Sequence, residues 1–360
     1  MQPDVFTYTS IVNGLCEIGN TNVVVKLLKK MKDRGVKPDL VTCSAIIDSL
    51  CKDRLITDAF NLFSEMKNKG ILCNAPTQIF CLIQGVCNLG QWKEATRLWN
   101  EMVAMNIIPT VVTFNILVDA LCKEGLVSDA QGVVDTMIQR GEQPNIITYN
   151  TLMDEYCLRS EMDEANKVFA LMISKGILPD VISYNILING YCKCRRVDEA
   201  KELFKEMSTS GQPVNMVTYS TMLDGLCNQG NLEEALELFQ AIKDNELVSN
   251  IVCYNIIIDC MCKSDRIEDA RDMFSNLHAI PTVFTYTIMI NGMCKERLLN
   301  EAYGMFKKTE DHGCLPNSCS YNTIIKGLRN KDTSKAMQLL DEMVNRGFSV
   351  DASTVEMILN

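Results

Sequence analysis

Two helical patterns alternate along this chain. In the first, seen in ITYNTLMDEYC at residues 147–157, apolar residues recur at the spacing of one helix face. In the second, seen in VDEAKELFKEM at residues 197–207, small and apolar residues share one face while Asp, Glu and Lys occupy the other. Each pattern covers about a dozen residues, a length at which an isolated helix is only marginally stable in water. The patterns therefore predict helices that stabilise each other by stacking.

The helical pairs repeat with a period of about 35 residues. The stretch at 147–157 returns as ISYNILINGYC at 182–192, and more loosely as VTYSTMLDGLC at 217–227 and VCYNIIIDCMC at 252–262. Prolines, which end helices, punctuate most of the chain with the same period or twice that period. A fixed period of roughly 20 to 50 residues is typical of a repeat array, in which neighbouring units share one continuous core.

We count ten repeats, starting from the residue after each Pro-x step, and number the positions in a repeat from its first residue. The predicted fold is an all-α solenoid of helix-turn-helix repeats that forms a single array over residues 1–360. The repeats are 5–39, 40–74, 75–110, 111–145, 146–180, 181–215, 216–250, 251–282, 283–317 and 318–351, followed by a partial first helix over 352–360.

The composition fits a folded chain, because 47% of the 360 residues are hydrophobic and 22% are charged. Apolar runs stay shorter than the roughly 18 residues that a membrane-spanning helix needs, so no membrane partner is expected. The net charge of −10 argues mildly against nucleic acid, although the local distribution of charge matters more than its sum. The N-terminus carries no visible targeting peptide and opens inside the repeat pattern, which leaves open a fragment of a longer precursor.

Recurrent small and sulfur-containing residues predict core contacts. Nine of the 17 cysteines return at one place in the period, where equivalent residues cannot easily pair, so we expect free thiols in a reducing compartment. An alanine that recurs in the second helices predicts a close approach of two helices, and a recurrent methionine predicts core packing. The cysteines are Cys16, Cys51, Cys87, Cys122, Cys157, Cys192, Cys227, Cys262 and Cys294.

The sequence offers little for catalysis or metal binding. His278 and His312 are the two histidines, and neither has the partners of a zinc site or a catalytic triad. The Cys-x-Cys pairs at 192–194 and 260–262 lack the two-residue spacer of structural zinc sites. No phosphate loop, GxSxG or HExxH motif occurs. We therefore predict no enzyme, no cofactor, no metal site and no small-molecule substrate.

The repeats resemble the pentatricopeptide repeat (PPR) family over essentially the whole chain. The resemblance rests on VTYS, ITYN, ISYN and VCYN, on the SLCK, ALCK or GYCK that follows, on a DEA or EEA helix and on a KPD or QPN close. Pure 35-residue units are typical of its P class, and GQWKEATRLWNEM at 90–102 and the tail at 332–354 are similar to plant fertility-restorer-like members. The resemblance implies a right-handed α-solenoid that binds single-stranded RNA, with one base per repeat read by two or three side chains.

The family's function implies an organelle transcript as the target, most readily mitochondrial, with a plastid location as the alternative. Binding would control processing, stability or translation, either by occupancy or through a recruited nuclease or processing factor. A tetratricopeptide-like protein–protein interaction scaffold is the main rival, because it also pairs helices in units of roughly 34 residues. An RNA-cleaving enzyme would need a metal-dependent catalytic domain after the array.

The fifth and last residues of each repeat are the implied base-reading pair. The fifth is almost always Asn, Thr or Ser in apolar surroundings, and the last is mostly Asp or Asn. Helix capping explains the same residue types and is the alternative interpretation. The pairs are Thr9 with Asp39, Ser44 with Asn74, Asn115 with Asn145, Asn150 with Asp180, Asn185 with Asn215, Ser220 with Asn250, Asn255 with Thr282, Thr287 with Asn317 and Asn322 with Asp351.

The family's pairing rule turns these pairs into a target sequence. Thr with Asp implies guanine, Asn with Asp implies uracil, Ser or Thr with Asn implies adenine, and the remaining pairs imply a pyrimidine. In the third repeat either Ile79 or Phe80 takes the fifth position beside Thr110, and neither fits the rule. The implied target is 5′-GAnYUYAYAU-3′, where n is any base and Y is a pyrimidine.

Two further positions complete the implied RNA contacts. The second residue of a repeat would sandwich the bases: Phe6, Val41, Val112, Ile147, Ile182, Val217, Val252 and Phe284. A lysine directly after the repeated cysteine would face phosphate, with an ordinary solvated lysine as the alternative: Lys52, Lys123, Lys193, Lys263 and Lys295. Five such contacts to a single strand would give a slope of log affinity against log salt of about −3.5.

Overall fold

The structure is a computed structural model that describes residues 4–68, 76–87, 89–104, 109–244, 251–277, 280–311, 313–329, 331–351 and 354. In these ranges the regular secondary structure is entirely α-helical. The chain divides into a first unit, Met1–Pro179, and a second unit, Asp180–Asn360. Among the described helices, none has both the length and the hydropathy needed to cross a membrane.

The described residues of the first unit form five helical hairpins. Each hairpin pairs the first and second helix of one repeat. The helices are α1 (Val5–Glu17) and α2 (Thr21–Asp33), α3 (Leu40–Lys52) and α4 (Ile56–Asn68), α5 (Pro76–Cys87) and α6 (Trp92–Ala104), α7 (Val111–Lys123) and α8 (Val127–Gln139), and α9 (Ile146–Leu158) and α10 (Met162–Ser174).

The part of the second unit that the structure describes also forms five hairpins. Its helices are α11 (Val181–Lys193) and α12 (Val197–Thr209), α13 (Met216–Asn228) and α14 (Leu232–Asp244), α15 (Ile251–Lys263) and α16 (Ile267–Ser275), α17 (Val283–Lys295) and α18 (Leu299–Asp311), and α19 (Ser318–Leu328) and α20 (Thr333–Asn345). The short helix α16 belongs to the eighth repeat, which is about three residues shorter than the others.

The all-α fold with repeats of about 35 residues is confirmed. Apart from α5, which is described from Pro76, every first helix begins at the first residue of a repeat as counted from the sequence. The partial helix expected over 352–360 lies outside the described residues, except for Thr354.

First helices of successive repeats pack directly on one another. In the first unit α1 packs on α3, α3 on α5, α5 on α7 and α7 on α9; in the second unit α11 packs on α13, α13 on α15, α15 on α17 and α17 on α19. Each second helix packs on the first helix of its own repeat. Each unit therefore presents a continuous layer of first helices.

The recurrent alanines and methionines lie in the core, as expected from their spacing. The alanines of the second helices are at most 4% exposed, which allows a close approach of the helix backbones. The seven recurrent methionines, from Met31 to Met343, are at most 1% exposed. The alanines are Ala59, Ala95, Ala130, Ala165, Ala200, Ala235, Ala270, Ala302 and Ala336.

Every described cysteine is a free thiol, and most of the repeated ones are buried. Burial disfavours the thiolate, and it raises the pKa of Cys51, Cys122, Cys192 and Cys262 to about 12. These thiols stay protonated near neutral pH and pack as small apolar side chains.

The repeated cysteine sets the spacing between neighbouring first helices. It packs against the tenth residue of the next repeat, which is often glycine. A Cβ atom added at Gly225 would lie 2.3 Å from the sulfur of Cys192, and one added at Gly327 would lie 2.3 Å from the sulfur of Cys294. Glycine is therefore required at these positions by close packing, although it lowers helix propensity.

Gly225→Ala should destabilise the second unit. The new methyl group would collide with Cys192, so α11 and α13 must move apart, and overpacking of this kind costs about 1 to 3 kcal/mol. Gly14→Ala changes the same position of the first repeat but meets no atom within 4 Å. It should raise the free energy of unfolding by about 1 kcal/mol through helix propensity. Urea unfolding followed by circular dichroism measures both values.

A compensating substitution provides the control. Cys192→Gly removes both the sulfur and the Cβ atom that the new methyl group would meet, 2.3 and 2.8 Å away, so Gly225→Ala should cost less stability in a Cys192→Gly background than in the unmodified protein. If Gly225→Ala were as stable as Gly14→Ala, the close contact between first helices would not limit the residue at position ten.

Candidate nucleic-acid interface

The second residues of eight repeats are apolar yet exposed. Their exposed fractions run from 45% for Val252 to 79% for Phe6. Single exposed apolar residues are common on protein surfaces, but here one recurs in the first turn of each first helix. The first unit carries Phe6, Val41, Val112 and Ile147, and the second unit carries Ile182, Val217, Val252 and Phe284.

The fifth residues lie on the same helix face, three positions further along. They are less accessible than the second residues. Asn150, Asn255, Thr287 and Asn322 are only 6 to 9% exposed. The others, Thr9, Ser44, Asn115, Asn185 and Ser220, are half-buried. The polar groups predicted to read bases thus lie below a row of exposed apolar side chains.

The last residue of a repeat caps the next first helix. The Asp39 side chain accepts a hydrogen bond of 2.8 Å from the backbone N–H of Thr42, and that of Asp180 accepts one of 2.9 Å from Ser183. Asn145, Asn215, Thr282 and Asn317 cap α9, α13, α17 and α19 in the same way. The capping interpretation is confirmed for these residues. Base reading by the same residues stays a prediction.

The predicted reading pair of the fourth repeat is in direct contact. The Asn115 amide donates a hydrogen bond of 3.1 Å to the Asn145 side-chain oxygen. Thr148, the third residue of the next repeat, donates one of 2.5 Å from its hydroxyl to the Asn115 oxygen. We call the fifth residue of a repeat, its last residue and the third residue of the next repeat a junction cluster. The cluster orients the fifth residue from two sides.

Three other junction clusters contain the same bond between the fifth and the third residue. The hydroxyls of Thr9 and Thr42 lie 2.7 Å apart, and those of Thr287 and Ser320 also lie 2.7 Å apart. Thr218 donates a hydrogen bond of 2.7 Å to the Asn185 oxygen. The third residues of these clusters are fully buried: Thr42, Thr148, Thr218 and Ser320.

The sequence analysis did not identify the third residue of a repeat as part of the site. The pattern that could have identified it is the Thr or Ser between two largely apolar residues in VTYS, ITYN and ISYN. A buried hydroxyl needs a hydrogen-bond partner, so a polar residue recurring among core positions predicts a partner in the neighbouring repeat.

The third repeat places an aromatic side chain at the fifth position. Ile79 is fully buried in the core, at the position where most other repeats have Tyr or Phe, and Phe80 is half-buried beside it. The structure therefore assigns the fifth position to Phe80, as the register counted from Cys87 predicts. Thr110 caps α7 through Thr113.

Two predicted base-reading residues, Asn74 and Asn250, lie outside the described residues. Their partners Ser44 and Ser220 are described. Each hydroxyl donates to a backbone carbonyl of its own helix, Ser44 to Leu40 at 2.6 Å and Ser220 to Val217 at 3.1 Å.

In the eighth repeat the buried amide oxygen of Asn255 has no hydrogen-bond partner among the described residues. The third residue of the next repeat, Thr285, lies 3.2 Å from the Thr282 hydroxyl instead. A buried polar atom without a partner costs about 1 to 3 kcal/mol, so this oxygen is suited to accept a hydrogen bond from a ligand.

A groove of about 710 Å³ in the second unit brings the predicted residue types together. Its lining includes the apolar Val252 and Phe284, the polar Asn255 and Thr287, and Lys295. A smaller groove of about 250 Å³ shares part of this lining and adds Lys193 and Ser220. Second, fifth and thirteenth residues of neighbouring first helices therefore line these two adjoining grooves, which share residues of α13 and α15.

The five predicted phosphate-binding lysines differ in their surroundings. Lys52, Lys123 and Lys263 each form an ion pair of 2.6 Å with the aspartate four residues earlier: Asp48, Asp119 and Asp259. The hydrogen bond to this carboxylate raises the pKa of Lys52 and of Lys263. Lys193 and Lys295 follow asparagines at that spacing, Asn189 and Asn291, and form no ion pair within the described part of the chain.

The last predicted pair contains a further ion pair. Asp351 lies 2.7 Å from the ammonium group of Lys326 and accepts a hydrogen bond of 2.7 Å from the backbone N–H of Thr354. The backbone N–H of Asp351 approaches the Asn322 oxygen at 3.5 Å. Asn322 and Asp351 are therefore neighbours, as the pairing rule requires.

Stacked helical hairpins with a polar cluster repeated at several of the described junctions define an α-helical repeat protein. The chain belongs to the pentatricopeptide repeat family. The model of the PPR repeat family matches residues 3–52, 38–78, 81–123, 109–158, 144–193, 179–228, 214–263 and 281–330, and the PPR repeat model matches 252–278 and 319–348.

Two solved structures of the pentatricopeptide repeat protein PPR10, from maize, have the same fold. Both are complexes with an 18-nt psaJ RNA element, and in one of them three cysteines of PPR10 are replaced by serine. Each superposes with a TM-score of 0.77 and 24% sequence identity over 99% of this chain. The match covers 53% of the PPR10 chain, so this chain spans about half the length of that protein.

Thr148→Val should weaken the junction cluster of the fourth repeat. The substitution keeps the shape of the side chain but removes the hydroxyl, which leaves the Asn115 oxygen without its 2.5 Å donor. We expect a loss of about 1 to 3 kcal/mol in the free energy of unfolding, measured by urea titration.

Thr151→Val on the same helix is the matched control. Among the described residues, the Thr151 hydroxyl bonds to the carbonyl of Ile147 in its own helix and to no other group, so its loss should change stability by less than about 0.5 kcal/mol. Equal stability of the two variants would mean that the buried hydroxyl does not hold the cluster.

Proposed function

We propose that this chain binds one stretch of single-stranded RNA with sequence specificity and has no catalytic activity of its own. One observation carries the proposal: exposed apolar side chains stand above a row of small polar side chains along the first helices of each unit. Membership of the PPR family and the fold shared with PPR10, which was solved with RNA, support the same function.

The row of exposed apolar second residues suits the faces of a nucleobase, and the row of polar fifth residues suits its hydrogen-bonding edge. Exposed valine, isoleucine and phenylalanine side chains can pack on the faces of a base, as side chains do in other single-strand-binding proteins. The fifth residue below can then bond to the Watson–Crick edge, since an asparagine amide both donates and accepts hydrogen bonds. The junction cluster holds that amide in place before RNA arrives, which lowers the entropy cost of binding.

The capping role of the last residue is compatible with reading. An aspartate or asparagine cap uses one side-chain oxygen for the helix N-terminus. In Asn145 that oxygen also accepts the hydrogen bond from the Asn115 amide, so the cap does not occupy the Asn145 amide nitrogen. A single polar side chain can therefore start a helix and help to select a base. The target proposed from the pairs is 5′-GAnYUYAYAU-3′.

A peptide-binding scaffold of the tetratricopeptide type would not require the same polar cluster at successive junctions. The repeated Asn, Ser or Thr at fixed positions therefore favours a ligand that is itself a polymer of similar subunits, such as RNA. We propose that the target is an organelle transcript, and we favour a mitochondrial transcript over a plastid one. We further propose that binding acts on processing, stability or translation of that transcript, with a recruited nuclease as one route.

A reciprocal exchange between the first and fifth repeats tests base reading. Thr9 with Asp39 is assigned to guanine and Asn150 with Asp180 to uracil, so each repeat can be converted into the other by one substitution. Asn150→Thr should shift the fifth nucleotide from uracil toward guanine, and Thr9→Asn should shift the first from guanine toward uracil. The expected discrimination is about 1 to 3 kcal/mol, or roughly 5- to 150-fold in Kd.

Fluorescence anisotropy with synthetic 10-nt RNAs that differ only at nucleotide one or five measures these preferences. Each variant serves as the control for the other, because Thr9→Asn should leave the preference at nucleotide five unchanged. Unaltered preferences at both nucleotides, with RNA still bound, would contradict the assignment of the fifth residue. Failure of the unmodified protein to bind any single-stranded RNA would contradict the function itself.

A further inference from the structure

The ninth residue of a first helix faces the thirteenth across one helical turn. Where the ninth residue is aspartate and the thirteenth is lysine or asparagine, the two side chains are bound to each other. Asp48, Asp119 and Asp259 form ion pairs with lysines, and Asp224 accepts a hydrogen bond of 3.0 Å from Asn228. Where an asparagine precedes a lysine at this spacing, in α11 and α17, the lysine forms no ion pair among the described residues, and we call its charge uncompensated.

The uncompensated lysines belong to the second unit. In the first unit both lysines at position thirteen, Lys52 and Lys123, are paired with aspartate. In the second unit Lys193 and Lys295 are exposed and follow asparagine, and both line the grooves that contain the apolar and polar rows.

A lysine beside an aspartate contributes little to RNA binding. Phosphate binding gains from the release of the counterions that lysine displaces from the strand. When a carboxylate lies 2.6 Å from the lysine ammonium group, the two opposite charges largely cancel at the position of a nearby phosphate. The pair then has little net positive potential to attract the strand. An exposed ion pair is weak enough to break, but the freed carboxylate would then face the phosphate.

We propose that the ninth residue of each repeat decides whether the lysine at position thirteen binds phosphate, and that Lys193 and Lys295 supply the main electrostatic hold on RNA. The proposal rests on the proposed function, since it concerns the same strand. Two phosphate contacts predict a slope of log affinity against log salt of about −1.4, compared with about −3.5 for five.

Reciprocal substitutions at position nine test the proposal. Asp48→Asn should release Lys52, steepen the salt slope by about 0.7 and tighten binding about fivefold at 0.1 M salt. Asn189→Asp should pair Lys193, flatten the slope by about 0.7 and weaken binding about fivefold. The probe is the synthetic RNA 5′-GACCUCACAU-3′, and Kd is measured by fluorescence anisotropy between 50 and 300 mM KCl.

Two charge-matched controls separate a local effect from a change in net charge. Glu164→Gln releases Lys167 from its 2.6 Å ion pair on the second helix α10, and Gln338→Glu adds a negative charge on the exposed face of α20. Both should leave the slope within about 0.2 of the unmodified value, because they lie on second helices, away from the first-helix layer.

The outcomes are distinct. Opposite changes of slope for Asp48→Asn and Asn189→Asp, with unchanged slopes for the two controls, support the proposal. RNA binding with the same slope in all five proteins, or slope changes in the controls equal to those at position nine, would overturn it while leaving RNA binding intact. No binding of any RNA by the unmodified protein would overturn the proposed function instead.

Discussion

The close contact between successive first helices is the constraint on which the rest of the structure depends. A cysteine of one helix meets a glycine or another small residue of the next, and at Gly225 and Gly327 there is no room for a methyl group. This contact brings the third residue of one repeat within hydrogen-bonding distance of the fifth residue of the repeat before it, as Thr148 is to Asn115. A wider spacing would leave those buried hydroxyls without partners, which is costly in a low-dielectric interior.

The junction cluster unites folding and recognition in the same atoms. Its last residue starts the next helix, its third residue is buried in the layer between helices, and its fifth residue points toward the groove. Groups that stabilise the array are thus the groups proposed to select bases, so each is held by interactions that exist without ligand. Such preorganisation favours specificity, because a wrong base leaves fixed polar groups unpaired and cannot induce them to move at low cost.

Much of this arrangement could be predicted from the sequence. The remaining features depend on contacts between neighbouring residues and repeats, which the repeat period does not specify. Spacing alone predicted the helices, the buried Ala and Met rows and the ten repeats, because all of these depend on one period. The exposure of Phe6 and Ile147 agrees with the role that the family resemblance implied for the second residue. The burial of Asn150 and Asn255 was not predicted, because it depends on how closely the next repeat approaches. The Asp48–Lys52 ion pair could have been predicted from its four-residue spacing. It was missed because the lysines were considered without the residues four positions before them.

The junction clusters described here each join adjacent repeats only. A substitution in one cluster therefore perturbs a single neighbour, and effects at separated clusters are expected to add. If the proposed function holds, substitutions in one cluster would change the preference for one nucleotide of the proposed target while the other clusters stay intact. Duplication or loss of a whole hairpin would lengthen or shorten the proposed target by the same logic, without changes to the remaining repeats.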